Sequence, residues 1–184
     1  MKKYARAIMV IAALTLGLLF VFPMWKITLL APQYPTGISI EIFVNNITGD
    51  ISNFNIMNHY VGMKTITVKG FPELAYMQYI VLAMMAIGIV IGLFGKKSHF
   101  WIWAVLMIAF GTVGLYDFYI WEYNYGHTLD PAAAIKVPGM AYQPPFIGRK
   151  EILNFIAYSF PALGGYAVGI SISLAGFAAL IKSK

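Results

Sequence analysis

The sequence predicts an all-α membrane protein: four transmembrane helices carrying an extracytoplasmic cap built from two long loops, the first of them partly β. Three observations predict it. The 184 residues are 60% hydrophobic and only 11% charged, where an ordinary soluble domain carries about 25% charged residues. Four apolar runs are each long enough to cross a hydrocarbon core of roughly 30 Å, which takes about 20 helical residues. The charges, finally, are divided unevenly between the segments that join those runs. A formal charge of +6 could suggest nucleic acid. The basic residues form no large patch, however, and several sit at the ends of apolar runs, where membrane topology explains them better. The absence of cysteine excludes disulfides, iron–sulfur clusters and thiolate metal sites.

The runs, in order, are about Ala7–Trp25, Leu74–Phe94, Phe100–Trp121 and Ile152–Ile181, all in a single membrane domain. Lys2, Lys3 and Arg6 ahead of the first would also suit a secretory signal. No small-residue cleavage site follows and the run ends in FPMWK, so an uncleaved helix is expected. The fourth run is interrupted by Pro161 and by Gly164–Gly165. A kink or a late start is expected there, tolerable in a membrane if neighbours satisfy the freed backbone groups. The tails and the short middle loop carry Lys2, Lys3, Arg6, Lys96, Lys97, Lys182 and Lys184 and no acid. That face is expected to be cytoplasmic, with both termini inside. Every acid falls toward the other side, in or near the two long loops: Glu41, Asp50, Glu73, Asp117, Glu122, Asp130 and Glu151.

The first outer loop, about residues 26–73, exceeds a simple connector, and loops of that length are usually functional or folded. In GISIEIFV, Ile38, Ile40, Ile42 and Val44 alternate with Ser39, Glu41 and Phe43, the period of a half-buried strand. NNITGD is a turn signal and KTITV a second short strand candidate. The second loop, about residues 122–151, has prolines at 131, 138, 144 and 145, which favour extended or turn backbone and exclude a continuous helix. Its apolar residues, Ile135, Val137, Met140, Tyr142 and Phe146, suggest that it packs onto the cap.

Chemistry-bearing residues gather in the same two loops. His59 stands in one and His127 in the other, with Met57 and Met63 around the first and Met140 beyond the second. Thioether with imidazole and no thiolate suits Cu(I). The competing reading makes the methionines core gap-fillers and His59 a hydrogen-bonded structural residue. His99 follows GKKS in the basic middle loop and reads as interfacial. Asp117 lies about 25 Å along the third helix, where an acid is costly and a functional candidate by default. Asp117, Glu122 and Asp130 are expected to support the ligands, or else to form structural pairs. Tyr116, Phe118, Tyr119, Trp121, Tyr123 and Tyr125 crowd one helix end as an interface belt does, although a quinone or electron-transfer pocket could use the same rings. GGYAVG reads as close helix packing through small residues. The chain carries no nucleotide-binding glycine loop, metalloprotease helix or serine-hydrolase elbow, and a non-enzymatic role is expected.

APQYPTG, NHYVGMK and YNYGHTLDPAAAIKVPGMAYQPPFIG resemble a family of small four-helix membrane proteins. Their genes lie in nitrous-oxide reductase clusters of the second clade, beside copper-chaperone and transporter genes. The resemblance covers nearly the whole chain and implies an accessory protein for the reductase, in copper supply, maturation or electron delivery; it carries no site residues across. The combined expectation is a denitrification accessory protein of the cytoplasmic membrane that holds or passes copper at its periplasmic face. His59, His127, Met57, Met63 and Met140 would be the ligands. Its partners would be the lipid bilayer and a periplasmic copper enzyme or membrane redox complex, without nucleic acid. The alternative is a structural or electron-transfer subunit that docks a redox partner and binds no metal.

Overall fold

The chain enters through helix α1 (Lys2–Thr15), which tightens into a 3-10 turn over Leu16–Phe20. Pro23 ends it, because the residue before a proline is driven out of the helical region. From there the backbone straightens into strand β1 (Trp25–Ala31). Strands β2 (Tyr34–Ile42) and β3 (Ile47–Gly49) follow, then helices α2 (Ile51–Val61), α3 (Glu73–Phe94) and α4 (Lys97–His127). Strands β4 (Gly148–Ile152) and β5 (Phe155–Pro161) lead into the last helix, α5 (Leu163–Ile181). The computed structural model describes residues 2–181. Lys182 and Lys184, counted above among the basic tails, lie outside the described residues, as does the side chain of Lys2.

The all-α expectation is overturned. The fold is mixed α/β, with a five-stranded antiparallel sheet in the order β3-β2-β1-β5-β4. Two of its strands lie where helix or plain loop was expected. The fourth apolar run is helical only from Leu163, and its first part, Phe155–Pro161, is β5, paired with β1 from Trp25↔Pro161 to Leu30↔Ile156. A short continuous apolar run is compatible with either a buried strand or a helix. Here Pro161 and the two glycines mark a change of element rather than a kink. KTITV, in turn, is not a strand. Its backbone groups are taken by side chains instead: Ile66 N–H donates to Asn55 Oδ1 (2.6 Å), and Asn55 Nδ2 donates to Ile66 O (3.0 Å).

The sheet is two-faced, as antiparallel sheets commonly are. Ile38, Ile40 and Ile42 of β2 are buried with Trp25, Ile27, Phe54 and Tyr125 in one apolar cluster. The opposite face is polar where β1 meets β2: Lys26 pairs with Glu41 at 3.1 Å, and the Thr28 and Ser39 hydroxyls meet at 2.9 Å.

Among the described residues, four helices are long and apolar enough to cross a membrane: Lys3–Phe20, Glu73–Phe94, Lys97–His127 and Leu163–Ile181. Their shared core runs from Ala5, Met9 and Ala12 of α1 and Leu16 of its 3-10 turn to Phe100, Trp103 and Met107 of α4 and Ala175 and Ala178 of α5. Buried polar groups within it are satisfied: Trp103 Nε1 donates to Met84 O (3.0 Å), and Ser171 donates to Ala12 O. Away from that core, Leu82, Val90, Val105, Val113, Ile170 and Phe177 are exposed.

Sheet and bundle are joined by continuous backbone and by hydrogen bonds. β1 leaves α1 and β5 enters α5, and the two strands are neighbours. Met24 N–H donates to Ile42 O (2.7 Å), Ala162 N–H to Met24 O (2.9 Å) and Gly164 N–H to Pro23 O (2.9 Å). A side chain at Gly164 would strike the Phe22 and Pro23 carbonyls, so α5 begins against the end of α1. At this joint Trp25 Nε1 donates to Ser159 Oγ (2.8 Å), and Ser159 donates to Phe146 O (3.1 Å). Ser159→Ala leaves the buried indole N–H without a partner. It is expected to cost about 1–3 kcal/mol, read as a lower midpoint in thermal unfolding of the detergent-solubilised protein.

Candidate functional site

Helix α4 has 31 residues, about 46 Å at 1.5 Å per residue. That exceeds a roughly 30 Å hydrocarbon core, and one side of its last turns, with Glu122, Tyr125 and Gly126 buried, is covered by the sheet, α2 and the proline-rich segment 128–147, the lid. The lid is anchored by its backbone. Asp130 N–H donates to Gly62 O (2.8 Å), Ile135 N–H to Tyr60 O (2.9 Å) and Tyr142 N–H to Gly126 O (3.0 Å). Lys150 Nζ donates to Gln143 O (3.0 Å). At Gly126 the lid lies so close that an added methyl would overlap the Gln143 backbone.

Between these elements lies a chamber of about 70 Å³, walled by Ile27, Leu29, Met57, Met63, Trp121 and Tyr142 among others. Helix α2 presents Phe54, Met57, Asn58 and Val61 toward the interior and Ser52, Ile56, His59 and Tyr60 toward solvent. Asn58 is buried, and its Nδ2 donates to Tyr125 Oη (3.1 Å); Tyr125 in turn donates to Lys64 O. That polar chain ties α2, the loop after it and the top of α4 together.

The expected ligands fall into two groups. The thioethers point inward. Met57 and Met63 line the chamber, and Met63 and Met140 both pack on the cluster of Val61, Tyr142, Ile152 and Ala157. The imidazoles are exposed. His59 lies edge-on to Tyr60 at 6.2 Å. His127, the last residue of α4, stacks on Tyr123 at 4.0 Å, with its Nδ1 2.8 Å from Tyr123 O. Met57 and His59, two residues apart on one helix, project about 200° from each other, so a single ion is not shared between them. Among the described residues, no three His, Asp or Glu side chains stand together as a metal-binding group. Asp117 is exposed on α4, and Asp130 spends its Oδ1 on Ala132 N–H (2.8 Å). His99 accepts Lys96 N–H at Nδ1 (2.9 Å), capping the start of α4.

Glu122 stands apart. It is fully buried at 0% exposure, and neither carboxylate oxygen has a hydrogen-bond partner; the buried Tyr142 hydroxyl lacks one too. Neighbouring contacts explain the lack. Phe118 and Tyr119, a turn before Glu122, meet the Phe146 ring at 6.0 and 5.9 Å, and Gly126, a turn after, meets Gln143. The lid residues between those contacts are Pro144 and Pro145, whose nitrogens carry no hydrogen to donate.

Asn58 was not among the candidates, and Tyr125 and Tyr142 were read only as a belt ring and a packing residue of the second loop. Asn58 sits four residues from Phe54 and three from Val61, which is helical spacing. That signal is readable only if NFNIMNHYVG is taken as a helix. Comparison with protein-family models, characterised proteins and solved structures finds no match to this chain.

Two substitutions probe the site. Gly126→Ala is expected to lift the lid, so that limited proteolysis cuts within residues 131–140 while the wild type resists. Glu122→Met keeps the side-chain length and removes a buried group without a partner. It is expected to stabilise by about 1–3 kcal/mol, read as a raised unfolding midpoint; a lowered one would mean that the carboxyl holds a necessary partner.

Proposed function

We propose that the chain is a non-enzymatic accessory membrane protein of a nitrous-oxide reductase-type system, acting as a structural subunit that docks a redox partner on its cap. It spans the cytoplasmic membrane with both termini inside and the sheet and lid outside. The apolar flanks of the four helices support the membrane placement, since soluble monomers rarely expose contiguous apolar patches beyond a few hundred Å². The basic, acid-free middle loop supports the orientation. The observation that carries the docking role is the joint. The sheet's two central neighbours, β1 and β5, run directly out of α1 and into α5, so the cap is a platform fixed to the bundle. A fixed platform suits holding a partner in place.

A second reading keeps copper at the cap. It is favoured by the convergence of Met57 and Met63 on one chamber with Met140 packed beside Met63, because paired thioethers select Cu(I). His59 and His127 would then serve at the surface and not in the chamber.

One preparation tests both. The protein purified from its own membranes in mild detergent is expected to run on native gels as a larger complex, unaltered by His59→Ala with His127→Ala. It is expected to carry no stoichiometric copper under reducing conditions. A chain that migrates alone, with copper that Met57→Leu and Met63→Leu remove, would replace docking with metal handling.

A further inference from the structure

We propose that the outer face of α2, with the lid segment 135–137 beside it, is the docking surface, and that its partner is a protein presenting an apolar centre ringed by carboxylates. This rests on the docking role proposed above and gives it a place and a partner chemistry. Ile56 and Tyr60, one turn apart, are each 52% exposed, and Ile135 and Val137 are 44% and 41% exposed. The backbone bond from Ile135 N–H to Tyr60 O (2.9 Å) sets these two pairs side by side. His59 and Lys136 stand among them.

Lipid is the wrong occupant. Asn58, on the same helix, bonds Tyr125 of α4, and Tyr125 lies about 42 Å along α4 from Lys97. That level is beyond a hydrocarbon core of roughly 30 Å, so the patch faces water. A second copy is disfavoured by charge. Of the cap acids, Glu41 and Glu151 are neutralised by Lys26 and Arg149, Asp50 lies on the sheet against Ser39 N–H, and Asp130 keeps its charge while accepting Ala132 N–H, one carboxylate against the two lysines on this side. Lys64 and Lys136 have no ion-pair partner among the described residues. Two such faces would repel each other, whereas carboxylates around the rim of a partner would complement them and steer its approach. The lid edge is already fixed by Pro131, Pro138 and its bonds to α2, so docking loses little conformational freedom there.

The test uses the full chain in its own membranes, with a benzoylphenylalanine photoprobe replacing Tyr60 and, separately, Tyr158 on the open face of the sheet. The Tyr60 probe is expected to give one discrete adduct with another protein and the Tyr158 probe none. Lys136→Glu is expected to reduce that adduct severalfold, as is about 1 M salt, where charges are screened beyond about 3 Å. The partner recovered from the adduct should then bind purified wild-type chain severalfold more tightly than Lys136→Glu. A protein adduct from Tyr158 alone overturns this face while leaving the docking role standing. An adduct of twice the chain's own mass, or with lipid, overturns the partner chemistry. No adduct from either probe, with no complex on native gels, overturns both proposals.

Discussion

Pairing of Trp25–Leu30 with Ile156–Pro161 is the constraint on which the remaining structure depends. Two helices that stop side by side leave carbonyls and N–H groups that need partners. Here the chain leaving α1 and the chain entering α5 supply them to each other, strand to strand, with Met24 and Pro23 carbonyls accepting from Ala162 and Gly164. Because those strands are central, β2 and β3 extend the sheet on one side and β4 on the other. Trp25 closes the joint, its ring against Phe118 at 5.1 Å and Phe146 at 5.7 Å. One residue thus touches the sheet, the long helix and the lid.

That joint also determines what α4 meets. A helix longer than a bilayer's core would end in water, but the sheet leans over it and the lid returns along it. Aromatic contacts continue up its inner side: Phe71 with Trp121 at 4.5 Å, and Trp121 with Tyr125 at 4.7 Å. On this side Glu122 is buried with neither carboxylate oxygen partnered. A buried polar group without a partner costs on the order of 1–3 kcal/mol, and the fold carries it at the point where the lid crosses the helix.

Much of this organisation was legible. The four apolar helices stood out from length and charge alone, and the alternation of Ile38, Ile40 and Ile42 marks the buried face of β2. What was not legible shares a cause. Phe155–Pro161 is apolar and abuts a helix, and no local signal separates a buried strand from a helical turn when the run is short. Its identity is decided by β1, more than a hundred residues away in sequence. Asn58 was overlooked, and Tyr125 was read only as one of the belt rings, for the same reason, since their partners come from other elements. Glu122 was named as a support for ligands; it is buried without a partner, which sequence order does not reveal.

The division of the candidate ligands follows from the same geometry. A helix distributes residues two apart to opposite sides, so packing α2 on the sheet sends Met57 inward and His59 outward together. Met63 and Met140 are drawn in by the cluster around Val61 and Tyr142, as flexible side chains fill irregular space. The imidazoles are left at the surface beside Tyr60 and Tyr123. There each ring is exposed, His59 edge-on to Tyr60 and His127 stacked on Tyr123. Cap chemistry and cap surface are therefore separable: the thioethers belong to the interior that holds α2 in place, and the histidines to the faces that α2 and the end of α4 present.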